Sequence, residues 1–145
     1  VPLVMAGEEY PVRVELLGVA PSSDATYGDL LSSAAFTIIN DLKFVAPGSI
    51  VPSVLRRRRS AMRHFLCSNP TLWGGRFSTT ALGAHRVAWL LLVPIGAREA
   101  AYLDAHGPDA LARKLEAAAV DVADLDRSEV ALGDSRRAKK AVPRQ

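Results

Sequence analysis

Residues 87–93 read Val-Ala-Trp-Leu-Leu-Leu-Val and are followed by Pro94, and no other segment narrows the fold as much. Seven uncharged residues with both alternating faces apolar describe a short strand that must be covered on each side. The apolar stretch 87–97 is eleven residues long and holds Pro94 and Gly96, well short of the roughly 20 residues that cross a bilayer. It predicts a central strand that Pro94 ends, within a sheet flanked by two layers, and it excludes a membrane span.

The neighbouring segments supply those layers. Over residues 10–18, Val12, Val14 and Leu16 alternate with Arg13 and Glu15, the pattern of a strand with one buried face. After a turn at 21–24, Tyr27, Leu30, Leu31, Ala34, Ala35, Ile38, Ile39 and Leu42 recur at three- and four-residue spacing, opposite Asp29, Ser32, Ser33, Asn40 and Asp41. This is one long amphipathic helix, with Asp24 or Thr26 to cap it and Pro47-Gly48 to stop it. From Pro47 to about Arg63 no period holds, which predicts a long loop with one short strand within 49–55. Segments 62–68 and 76–82 flank a Gly- and Pro-containing turn and predict a hairpin. Two helices follow, over 98–105 with Ala101, Tyr102 and Ala105 on one face, and over 108 to about 119 with Leu111, Leu115 and Ala118 on one face and Pro108 in the first turn. A last strand is predicted at 129–132. The fold class is α/β of the α+β type: a mixed, largely antiparallel sheet packed against one long helix and two shorter C-terminal helices.

At 145 residues the chain has room for one domain of this kind. Its eighteen Lys and Arg against fifteen Asp and Glu give +3, which by itself suggests a polyanion binder. The surplus is local, however. Residues 133–145 hold five of the basic residues and one acid, leaving thirteen basic against fourteen acidic groups, a charge of −1, on residues 1–132. The division is therefore a folded body over 1–132 and a basic tail over 133–145, expected to be disordered because it has almost no apolar content. A single cysteine, Cys67, cannot form an internal disulfide, which fits a reducing, cytoplasmic location. Fourteen Arg to four Lys is the usage of a GC-rich, bacterial genome.

Within the body the sharpest charge feature is Arg56, Arg57, Arg58 and Arg59, with Arg63 close behind. Guanidinium forks grip carboxylates bidentately, so this loop is the candidate contact with an acidic protein surface. A nucleic-acid-associated domain using the same loop and the tail is the alternative, but neither aromatic stacking platforms nor a recognition module lies beside the run. Metal binding is not indicated, because His64 and Cys67 are one close pair where structural zinc takes two, and His85 and His106 are isolated. No nucleophile elbow or cysteine-centred signature is present, and Asp121, Asp124 and Asp126 read as a polar connection. An unrecognised hydrolase would require His64, His85 and Cys67 to converge in one pocket. No cofactor is implied.

Taken in order, several segments resemble the suppressor of fused domain family: RVELL at 13–17, APGSIV at 46–51, MRHFLCSNP at 62–70, VAWLLLVPIGAREAAYLDAHGPDALARKL at 87–115 and DLDRSEVAL at 124–132. The positions that carry the resemblance are His64, Trp89, Pro94, Ile95, Glu99, Tyr102, Gly107, Leu111, Asp126 and Arg127. Their expected work is structural. Glu99 complements a helix dipole, Tyr102 and Leu111 pack helices, Gly107 breaks between helices, and Arg127 bridges Asp126 or a helix-end carbonyl. The resemblance implies a non-enzymatic domain that binds a protein partner, a toxin or a regulatory protein, as an immunity or regulatory factor. It also implies that the segment normally preceding the RVELL strand is missing.

Overall fold

The structure, a computed structural model, describes residues 2–5, 8–41 and 44–133. In chain order the elements are β1 (Pro2–Met5), β2 (Glu8–Leu17), α1 (Tyr27–Asn40), β3 (Ile50–Val51), β4 (Met62–Ser68), a 3-10 segment (Thr71–Phe77), β5 (Thr80–Leu82), β6 (His85–Gly96), α2 (Ala97–His106) and α3 (Pro108–Ala117). The six strands form one sheet in the order β1-β2-β6-β4-β3, with β5 pairing the start of β6. Every pairing is antiparallel except β2 with β6. The expected class, α+β with a mixed and largely antiparallel sheet, is the one observed.

The apolar run on β6 sits at the centre because its alternate residues serve two cores. Leu90 and Leu92 join Val14, Ala34, Ile38, Phe65 and Cys67 beneath α1. Leu91, Val93 and Ile95 face the other way and meet Leu103, Leu111 and Leu115 of α2 and α3. A period-two strand between two helical layers has no face left for polar side chains.

Several expectations are corrected. Pro94 does not end β6, which continues to Gly96. By that point β2 has stopped, its Leu17 lying opposite Leu91, so the missing proline N–H interrupts no ladder there. The carbonyl of Pro94 accepts instead from Arg127 Nη2 at 2.6 Å. Segments 62–68 and 76–82 do not form a hairpin, because β4 is already flanked by β6 and β3. The hairpin is between β5 and β6, with Leu82 opposite His85 and Gly83 at φ +59° in the turn. Residues 129–132 form no strand, although Val130 and Leu132 are buried; the Val130 N–H donates to Glu99 Oε1 at 2.8 Å rather than to a neighbouring backbone.

On α1 the inward stripe is Tyr27, Ala34 and Ile38, and Ile39 is 41% exposed, since one residue beyond Ile38 is a 100° turn around the helix. The helix ends at Asn40, ahead of Pro47. Thr26 holds the N-cap position, its own N–H and hydroxyl donating to Asp24 Oδ1 at 3.1 and 2.7 Å. The inward face of α2 is Glu99 and Leu103 rather than Ala101 and Ala105, which are exposed; Ala118 follows α3 and is exposed too. Pairing of β1 with β2 occupies a sheet edge for which no strand was expected. The basic tail after Gly133 lies outside the described residues.

Candidate functional site

The arginine run occupies the turns between β3 and β4, and its neighbours anchor it. Val51 and Leu55 are 1% and 0% exposed and join the core under α1. Between them the chain reverses through Ser53, which takes φ +61° although it is not glycine, a conformation that persists only when its surroundings hold it. The Ser53 N–H donates to His64 Nδ1 at 3.0 Å, and Leu55 N–H donates to the Arg63 carbonyl at 3.1 Å. Lower down, the Ser60 hydroxyl donates to the Leu125 carbonyl at 2.7 Å and accepts from Met62 N–H at 3.0 Å.

The five arginines then divide. Arg58 points back onto the body, with Nη1 3.3 Å from Asp24 Oδ2 and Nη2 3.2 Å from Asp126 Oδ2. Arg63 donates through Nη1 to the carbonyls of Ser60 and Met62. Arg56, Arg57 and Arg59 are exposed, and none of the three side chains has a hydrogen-bond or ion-pair partner among the described residues. Beside Arg58 a cavity of about 240 Å³ is lined by Asp24, Asp121, Asp124, Leu125 and Asp126. The loop thus presents cationic groups next to an acidic recess. Among the described residues no group of His, Cys, Asp and Glu is arranged to hold a metal ion.

The three residues a hydrolase would need do not converge. His64 lies opposite Ile95 and His85 opens the same strand ten residues earlier, about 30 Å away at the rise of a β-strand. Cys67 is wholly buried, and burial pushes its thiol up to about 12, which keeps it a protonated core group. His64 is itself held below the usual imidazole range, by burial and then by the Arg63 charge, and its Nδ1 accepts the Ser53 N–H.

The remaining signature positions make packing and hydrogen-bond contacts, and Arg127 does so with a partner that was not expected. Glu99, 0% exposed, accepts from Gly96 N–H at 2.9 Å and from Val130 N–H at 2.8 Å. Arg127 meets Glu99 instead of Asp126, with Nη1 2.8 Å from Oε1 and Nη2 2.9 Å from Oε2. Asp126 turns the other way, to Arg58. Trp89 packs edge-on against Phe77 with ring centres 5.2 Å apart, and Tyr102 stacks on His106 at 4.1 Å. Ile95 and Leu111 are fully buried. Gly107 takes φ +85° between α2 and α3, its N–H donating to the Leu103 carbonyl at 2.7 Å. The acidic recess was not foreseen as a unit, because Asp24 comes from a segment far from 121–126 in the chain. On the far side of the sheet a second cavity of about 240 Å³ opens between Leu66, Leu91, Val93, Leu115, Val120 and Val122, with Leu72 54% exposed beside it.

This sheet and its two helical layers correspond to a known family. The chain belongs to the suppressor of fused protein family, whose profile matches residues 2–128. It is 31% identical over 122 residues to the immunity protein YqcF of Bacillus subtilis, covering 83% of this chain and 64% of that protein. It is also similar to a solved structure of a suppressor of fused homologue from Neisseria gonorrhoeae, with a TM-score of 0.64 and 22% identity over 80% of this chain and 62% of the other. The chain therefore spans somewhat under two thirds of the length of each relative. No helix among the described residues is long and apolar enough to cross a membrane.

Proposed function

We propose that this chain is a cytoplasmic, non-enzymatic protein-binding domain that holds and restrains a partner protein, a toxin or a regulatory protein, in the manner of a bacterial immunity factor. The observation that carries the reading is the 31% identity, across 83% of the chain, to a protein named for immunity. The chemistry agrees with a binding role: the single thiol is buried and protonated, and His85 opens β6 whereas His64, on β4, lies opposite Ile95 near the other end of that strand. The loop that carries Arg56, Arg57, Arg58, Arg59 and Arg63 is the region proposed to face the partner, on a body of residues 1–132, with 133–145 as a basic appendage. No cofactor enters this reading. Association with nucleic acid through the same run is the weaker alternative, because the acidic recess beside Arg58 would repel a continuous array of phosphates.

Co-expression with the products of the flanking genes tests the reading. The expected result is copurification with one of them and relief of any growth arrest it causes. A flanking toxin whose arrest is unrelieved, with no copurifying protein, overturns it.

A further inference from the structure

The five arginines are chemically alike in the sequence but unequal in the structure. We infer that Arg56, Arg57 and Arg59 act as one recognition comb for a carboxylate-bearing protein surface, and that Arg58 and Arg63 are positioning residues that hold the comb without touching the partner. The inference rests on the protein-binding reading above and adds the partner's chemistry and a division of labour within the loop.

Three observations support it. The guanidinium groups of the comb are exposed with no partner among the described residues, whereas those of Arg58 and Arg63 are already engaged. The backbone carrying the comb is held at several points: Leu55 is sunk into the core, Arg56 N–H bonds the Ser53 carbonyl at 3.3 Å, Arg58 N–H bonds the Leu55 carbonyl at 3.0 Å, and Ser60 ties to Leu125. A comb carried on a pre-ordered backbone loses less backbone freedom on binding than a flexible run does. Finally, Asp24, Asp121, Asp124 and Asp126 border the recess beside it. A protein surface can place its carboxylates opposite the comb and leave the recess unopposed; a duplex presents charge at every step and cannot.

The test uses the full chain and two labelled probes, a short glutamate-rich peptide and a DNA duplex of similar charge, titrated by fluorescence anisotropy at several salt concentrations. The peptide is expected to bind, with each of Arg56→Ala, Arg57→Ala and Arg59→Ala weakening it about threefold and the triple variant about thirtyfold, the scale of exposed charge pairs. Each single substitution in the comb is expected to lower the salt slope. Arg58→Lys keeps the charge but not a fork that reaches two carboxylates, and is expected to weaken binding at an unchanged salt slope.

Asp126→Asn separates positioning from charge. Removing an acid should tighten an acidic ligand by electrostatics alone, whereas release of Arg58 should weaken it, and weakening is expected, with circular dichroism confirming the fold. Tighter binding by Asp126→Asn, or a salt slope that falls with Arg58→Lys, overturns the positioning role. Duplex bound at least as tightly as peptide, or peptide binding that survives the triple variant, overturns the comb. A flanking-gene partner retained by the triple variant also removes the comb and leaves the protein-binding reading standing. Peptide binding through the comb without any such partner removes the immunity reading alone.

Discussion

Arg127 and Glu99 form a two-pronged ion pair inside the protein, at 2.8 and 2.9 Å, with side chains 8% and 0% exposed. The pair joins the start of α2 to the segment that closes the chain's second core, and Arg127 extends it to the Pro94 carbonyl at the end of β6. Val130 N–H and Gly96 N–H fill further acceptor sites on Glu99. Buried charge is tolerated only when it is matched in this way. The result explains why residues 127–130 are fixed without a strand partner.

Removing one member should therefore cost far more than a surface pair would. Glu99→Ala is expected to lower stability by about 3–5 kcal/mol, the range for leaving a buried charge uncompensated, and Glu99→Ala with Arg127→Leu should recover part of that loss. Urea unfolding checks both; a single-variant loss under about 1 kcal/mol would place the pair among weak surface bridges.

The same pair sets an acid limit. Burial by itself pushes the Glu99 carboxyl up, but the hydrogen bonds from Arg127, Val130 and Gly96, together with the Arg127 charge, outweigh it and hold the group below the usual carboxylate range. A depressed carboxyl contributes stability that is present above its unfolded value, near 4.5, and is lost as the pH falls toward the folded value. Thermal melts in that window are expected to show a steep loss that Glu99→Gln flattens.

His64 gives a second, milder window. Its folded value lies below the ordinary 6.5, so the unfolded chain takes up the proton first and stability declines as pH falls below 6.5. Protonation also removes the Nδ1 acceptor that holds Ser53 N–H. His64→Gln should reduce the pH dependence between neutrality and the carboxylate range. An unchanged profile would mean that the ring is not titrating against folding.

The Cys67 thiol should be silent in the native protein. At 0% exposure and about 12, it offers neither access nor thiolate. Thiol reagent at mildly alkaline pH is expected to label it only at the rate of unfolding, with full labelling in denaturant. Rapid native labelling would contradict the burial.

Gly18 is expected to resist even the smallest substitution. A methyl group there would run into the ring of Tyr27, which is itself packed edge-on against Phe65 at 6.4 Å. Gly18→Ala should cost about 1–3 kcal/mol through this overpacking, measurable by chemical denaturation, and a neutral result would show that the ring can step aside.

Much of the fold was legible along the chain. The uncharged run 87–93, the alternation at 12–16 and the stripe from Tyr27 to Ile38 each depend on local periodicity, which reports the number of buried faces directly. The errors lie where a partner distant in the chain decides. Local pattern pairs β4 with the wrong strand because pairing is a competition among edges, and it makes Pro94 a terminator because it does not report that β2 stops at Leu17. Local pattern also puts Ile39 with the apolar stripe, whereas α1 packs a narrower stripe than its apolar residues would allow.

At the candidate site the sequence by itself determined that a block of guanidinium groups exists, that it lies in a loop, and that the body carrying it is not basic. It also determined the family, whose profile matches residues 2–128. Only the tertiary structure decided which arginines are available, since that depends on Asp24 and Asp126, which the fold brings to Arg58 from separate segments. The adjacent residues Asp126 and Arg127 show the same limit. One secures the arginine loop and the other the start of α2, because side chains next to each other in an irregular segment can point to opposite sides, and what lies on each side is set by packing rather than by sequence order.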